Sequence, residues 1–185
     1  MADPLSAPGH ITTPSKAPAQ ARKDTMANST PRRGSAPWRT ASRADRRPII
    51  AMSQALFIED PGHKEMTARQ IGRTLTVLEN EPARGVAVVA EVGDAVVGYA
   101  LLCSFWSNEL HGEVCTVDEL FVLPTSRSLG LGTSLITTLQ RGGLPRFRDA
   151  VALELEVTPV NRRARALYER LGFAGRKNAT MRLLR

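Results

Sequence analysis

The chain has 185 residues, 42% of them apolar, with 25 Lys/Arg against 18 Asp/Glu for a formal charge of +7. No run reaches the ~18 consecutive apolar residues of a bilayer span and the N-terminus lacks the ~7–15-residue apolar core of a secretory signal, so a cytoplasmic protein without a membrane partner is expected. Cys103 and Cys115 are too few for a disulfide framework, and with the scattered His10, His63 and His111 they do not make the set of about four ligands that a zinc site needs, so no metal is expected.

Residues 1–35 hold five Lys/Arg, two Asp, five Pro and eight Ser/Thr, with only Leu5 and Ile11 as large aliphatics. Such a segment cannot bury enough surface to offset its chain entropy, so it reads as a disordered basic Pro/Ser/Ala-rich tail ahead of a domain at 36–185. A transit peptide, or translation starting at Met26, fits the same composition, and both readings stay open. The domain carries 20 Lys/Arg against 16 Asp/Glu. It shows no aromatic-interleaved basic patch, so nucleic acid is not expected as a partner.

A short extended start at Pro37 to Thr40 precedes a helix that Asp45 would cap and that carries Ile49, Met52 and Leu56, with Pro61-Gly62 breaking the chain. Thr67 and Gln70 form a capping box for a second helix whose Ile71, Leu75 and Leu78 recur at i, i+4, i+7. Val86 to Glu91 and Val96 to Ser104 read as strands joined by a Gly93-Asp94 hairpin turn. Val114 to Leu123 reads as a further strand, followed by a glycine-rich turn and a helix with Leu131, Leu135, Ile136 and Leu139 on one face. Val151 to Val157 alternates as a strand, Ala164, Leu167, Tyr168 and Leu171 mark a last helix, and Thr180 to Leu184 can close the sheet as a strand. The strand, turn, helix, strand order after Val114 makes two strands parallel, giving a mixed α/β sheet with helices on both faces.

The first chemical signal is the turn Arg127-Ser128-Leu129-Gly130-Leu131-Gly132-Thr133. Glycines let the backbone approach a ligand, and the N–H groups opening the following helix favour an anion. A triphosphate loop is excluded because the Gly-Lys-Ser/Thr ending is missing, and the spacing makes a poor dinucleotide fingerprint.

With the strand Val117-Asp118-Glu119-Leu120-Phe121-Val122-Leu123 before it, this turn resembles the acetyl-CoA motif of the GCN5-related N-acetyltransferase superfamily, Arg/Gln-x-x-Gly-x-Gly/Ala. Asn161, Ala164, Leu167, Tyr168 and Gly172-Phe173 match the same family's second signature, and the resemblance runs over about 36–185. It departs at Ser128, where the turn most often carries glycine. The resemblance implies about six to seven strands with a splayed parallel pair, and acetyl-CoA as co-substrate. In that reading Arg127, Ser128, Leu129, Gly130, Leu131, Gly132 and Thr133 hold the pyrophosphate, Leu120 and Val122 pair with the pantetheine arm, Asn161 touches the coenzyme, and Tyr168 protonates the leaving thiolate. The expected activity is N-acetylation of a primary amine by direct attack in a ternary complex. A non-catalytic acetyl-CoA-binding module is the alternative, and a homodimer stays open.

Read without the motif, Tyr168 is a core aromatic, Asn161 an N-cap, the two cysteines inert buried thiols, and Arg162, Arg163, Arg165 and Arg170 a solvated helix face. Arg165 could also reach a coenzyme phosphate. Trp106 and Glu109, in a connector expected over 105–113, together with Glu59 and Asp60 would suit a cationic acceptor, either a small molecule or a peptide amine. Glu119, Asp118 and Glu156 are, in that order, candidates for the base that deprotonates it. Strand alternation would put Glu119 on one face with Val117 and Phe121, and Asp118 on the other with Leu120 and Val122.

Overall fold

The computed structural model describes residues 37–60 and 66–177, with Met181 and Leu183 beyond them. The expectations for residues 1–35, for Pro61-Gly62 and, in the main, for Thr180 to Leu184 therefore lie outside the described residues.

Trp38–Thr40 forms β1. Trp38 is buried and donates its indole N–H to the Leu131 carbonyl at 3.0 Å, while the neighbouring Arg39 reaches Asp45 through both terminal nitrogens at 2.8 and 2.9 Å and also binds Glu91. That arrangement changes the role expected for Asp45. Its carboxylate accepts from Arg39 and from the Ser42 N–H and hydroxyl, so it closes a short turn at Arg43–Asp45 and makes no side-chain cap on helix α1, Arg46–Glu59. Helix α2, Ala68–Asn80, does open on the expected capping box, with Thr67 Oγ1 accepting from the Gln70 N–H and Gln70 Oε1 from the Thr67 N–H.

The strands β2 (Gly85–Val92), β3 (Ala95–Ser107), β4 (Gly112–Val122) and β5 (Ala152–Leu155) complete a sheet of order β1-β2-β3-β4-β5. Among the described residues it has five strands rather than six to seven. Neighbours are antiparallel except β4 and β5, which are parallel. Gly93 takes the left-handed conformation (φ 63°) that the β2–β3 turn requires. β3 and β4 extend further toward each other than expected, because Phe105, Trp106 and Ser107 keep pairing with Val114, Glu113 and Gly112; most of the supposed 105–113 connector is ladder.

Helices α1 and α2 cover one face, burying Ile49, Met52, Ile71 and Leu75 against Val89, Tyr99, Leu101 and Phe121. Helices α3, Leu131–Gln140, and α4, Arg162–Arg170, lie on the other face, where Leu131, Leu135, Ile136 and Leu139 pack on Ala100, Leu102, Cys115 and Val117. A bulge interrupts β4: Leu102 pairs with Val117 and Leu101 with Glu119, leaving Asp118 as the extra residue. The bulge resets the alternation. Val117 faces the α3 layer while Glu119 bonds to Ser53 of α1 and Phe121 packs in the α1 layer, so the expectation that Glu119 shares a face with Val117 is corrected.

Candidate active site

The same strand sets up the site. β4 pairs with β5 only from Val114 opposite Ala152 to Val117 opposite Leu155, yet runs on to Val122. The Leu123 N–H bonds the Val97 carbonyl on β3 at 2.9 Å, so by alternation the N–H and C=O groups of Leu120 and Val122 point the other way, toward the side that β5 has left. There a cleft of about 680 Å³ opens, walled by Leu120, Phe121 and Val122 of β4, by the turn and first residues of α3, by Asn161 to Tyr168, and by the end of α1.

Beyond Val122 a short turn at Pro124–Ser126 leads to two left-handed residues, Ser128 (φ 72°) and Gly130 (φ 76°). Gly130 is the N-cap of α3 and supplies no side chain, and the first backbone bond of the helix runs from the Ser134 N–H to the Gly130 carbonyl. The N–H groups of Leu131, Gly132 and Thr133 thus have no acceptor within the helix. A Cβ on Gly130 would meet nothing within 4 Å, the open space a bound group would fill, whereas one on Gly132 would stand 3.1 Å from the Leu167 side chain where α3 and α4 converge. Ser126 to Ser128 and Gly130 to Thr133 line the cleft, whereas Leu129 is exposed and does not.

Arg127 lines the cleft with its donors engaged. Its Nε donates to the Val122 carbonyl at 2.9 Å, its Nη2 to the two Glu59 oxygens at 2.8 and 2.6 Å, and its guanidinium lies 5.3 Å from the Phe121 ring centre. Asp60 accepts from the Thr158 hydroxyl at 3.2 Å, so the two acids at the end of α1 contact both walls of the cleft. On the α4 wall the Asn161 side chain accepts from the Ala164 N–H at 3.1 Å, the N-cap role, and Tyr168 packs edge to face on Phe173 with ring centres 5.7 Å apart. Burial raises the Tyr168 hydroxyl pKa, which keeps it a proton donor.

Glu119 stands two residues before Phe121 on the α1 face, behind the cleft wall rather than on it. The Tyr99 hydroxyl donates to its Oε2 at 2.6 Å and the Ser53 hydroxyl at 3.2 Å. Burial pushes its carboxyl pKa up, the Tyr99 hydrogen bond opposes this, and Asp118 adds to the rise. Tyr99 is fully buried and its own hydroxyl is raised by burial and by Glu119. Sequence reasoning missed both hydroxyls; the readable signal was Ser53, a polar residue four after Ile49 on an apolar stripe.

The remaining candidates are not brought together. Asp118 and Glu156 are exposed. Trp106 pairs with Glu113 beside the β3–β4 turn, and Glu109 lies in that turn, at the opposite end of β4 from Val122; the structure does not unite them with Glu59 and Asp60. Burial pushes the Cys115 thiol up to about 12 and raises that of Cys103, as expected of unreactive thiols. Arg163 and Arg170, expected only as a solvated face, line the cleft, and Arg163 donates to the Ser128 hydroxyl at 3.1 Å. Among the described residues no His/Cys/Asp/Glu group could hold a metal ion, and no helix is long and apolar enough to cross a membrane.

Comparison with known proteins agrees with this geometry. Residues 49–173 match the model of the Acetyltransferase (GNAT) family. The chain is 40% identical over 86 residues to an uncharacterized N-acetyltransferase of Methanocaldococcus jannaschii, covering 46% of this chain and 37% of that one. It is 29% identical over 96 residues to an uncharacterized N-acetyltransferase of Bacillus subtilis, covering 52% and 62%. The chain therefore spans less than two thirds of the length of these curated relatives. A crystal structure described as a possible acetyltransferase from Clostridium difficile 630 shares the fold, with a TM-score of 0.69 at 22% identity over 80% of this chain and 95% of that one.

Proposed function

Because the chain belongs to the GNAT family of acetyltransferases, we propose that it moves an acetyl group from acetyl-CoA to a primary amine by direct attack within a ternary complex. The observation that carries this reading is the divergence of β5 from β4 after Val117, which leaves an open strand edge beside an uncapped helix N-terminus in one cleft. The donor set fits the coenzyme. The edge groups of Leu120 and the Val122 N–H suit an amide-bearing arm, the Val122 carbonyl being held by Arg127, and the N–H groups of Leu131 to Thr133 suit a pyrophosphate. Bound there, acetyl-CoA supplies an activated acyl group as a thioester.

The residues of the chain divide the remaining work. The Val122 N–H would polarise the thioester oxygen as negative charge collects on it. An ammonium has no lone pair, so a base must first take its proton. Glu119 is the best candidate of the three carboxylates: its pKa is raised, it faces the α1 side, and it would reach the amine through a water. Asp118 and Glu156 rank behind it. As the new C–N bond forms and the C–S bond breaks, the Tyr168 hydroxyl gives its proton to the departing sulfur. Asn161 anchors α4 beside the coenzyme. Asp60 and Glu59 border the acceptor side. We assign this activity to residues 36–185.

One observation favours the binding-module alternative: Glu59 is already paired with Arg127 and Asp60 with Thr158. The two readings separate in a screen of polyamines, amino acids, aminoglycosides and lysine- or N-terminal-amine peptides with acetyl-CoA, following thiol release. An enzyme shows acceptor-dependent release with at least one class. A module is stabilised by coenzyme A in a thermal shift but releases no thiol with any of them.

A further inference from the structure

The anion cradle contains only neutral N–H groups in its backbone, so the charge that completes it must come from a side chain. Arg127, the motif arginine, sends Nε to the Val122 carbonyl and Nη2 to Glu59. It acts as a strut between α1 and the end of β4. Arg163 comes from the opposite wall: it lies in the first turn of α4, lines the cleft, and places Nη2 3.1 Å from the Ser128 hydroxyl, inside the cradle turn. A guanidinium carries five N–H donors, and this bond uses one.

Ser128 is the other partner of that bond. It holds a left-handed backbone (φ 72°) that glycine adopts more readily than serine. Its hydroxyl is the group that receives Arg163, and a glycine could not supply it.

We propose that Arg163 is the guanidinium that grips the coenzyme pyrophosphate and that Ser128 is its positioning residue. The assignment rests on the acetyl-CoA reading above and adds to it which side chain supplies the charge. A planar fork facing two adjacent phosphates can bind them bidentately.

Isothermal titration of the full chain with coenzyme A, 3′-dephospho-coenzyme A and pantetheine, alongside apo-protein melting, tests this. Arg163→Ala should weaken both phosphorylated ligands alike, by about tenfold to a hundredfold, and leave pantetheine and the apo Tm unchanged. Ser128→Gly should weaken coenzyme A several-fold without lowering the Tm, and should have no further effect in the Arg163→Ala background. The assignment is overturned if Arg163→Ala binds coenzyme A as wild type does. It is overturned equally if the loss disappears with 3′-dephospho-coenzyme A, which would move the contact to the 3′-phosphate, or if the loss follows a fall in apo Tm. Wild-type protein that binds neither phosphorylated ligand would remove the acetyl-CoA reading itself, and this assignment with it.

Discussion

Glu113 and Glu119 lie six residues apart on β4, on either side of the Asp118 bulge, and they are held in opposite ways. In the half that pairs with β5, Arg146 binds both Glu113 oxygens, at 2.9 and 2.7 Å, and its guanidinium holds the carboxyl below its usual range. In the half that β5 has left, Glu119 meets the hydroxyls of Tyr99 and Ser53, and burial raises it. A carboxylate matched by a guanidinium fixes the fold and has little proton affinity left. One buried among hydroxyls, with no guanidinium opposite it, keeps a higher proton affinity than a free carboxylate.

The sharpest way to break this contrast is to neutralise each acid. Glu119→Gln should lower turnover by about a hundredfold to ten-thousandfold with coenzyme A affinity retained. In the wild type the base must be ionised, and its raised pKa puts the acidic limb of the pH–rate profile above the ordinary glutamate value of about 4.3. The variant should lose that limb; a profile that keeps it would transfer the role to Asp118, Glu156 or bulk water.

Tyr168→Phe comes next, with an expected loss of about tenfold to a thousandfold in turnover, because a thiolate with a reference pKa near 8.5 partly stabilises itself. Binding of acetyl-CoA should hardly change. Unaltered turnover would return Tyr168 to being a packing residue against Phe173.

Glu113→Gln should act on stability alone, costing about 1–2 kcal/mol in urea unfolding at pH 7 and leaving turnover as it was. Its folded pKa lies below the unfolded one, so the stability it contributes is complete above the ordinary value of about 4.3 and is lost as pH falls below it. The gap between variant and wild type should therefore narrow in acid. A gap that widens there would mean that Arg146 is not the cause.

How much of this was legible in the sequence depends on whether the deciding partner is local or distant. Local chemistry told the truth where it acts locally: the Thr67/Gln70 box opens α2, Gly93 turns the hairpin, and the stripes Ile71-Leu75-Leu78 and Leu131-Leu135-Leu139 are buried. It failed where a distant partner takes over. Asp45 is drawn off its helix by Arg39, and Trp106 joins a strand through pairing with Glu113. The bulge at Asp118 left no mark in the pattern, and it decides which face Glu119 occupies. The turn and Tyr168 were identified by their likeness to a family, while Tyr99, Ser53 and Arg163 depend on contacts 20, 66 and 35 residues apart in sequence, which no local pattern carries.

The central claim, that the open half of β4 receives the coenzyme, is tested most directly by amide hydrogen exchange across β4 with and without coenzyme A. The account predicts that Leu120 and Val122 gain protection on binding while Val114 to Val117, already paired with β5, do not change. Equal protection in both halves, or none at Leu120 and Val122 under saturating coenzyme A, would contradict it.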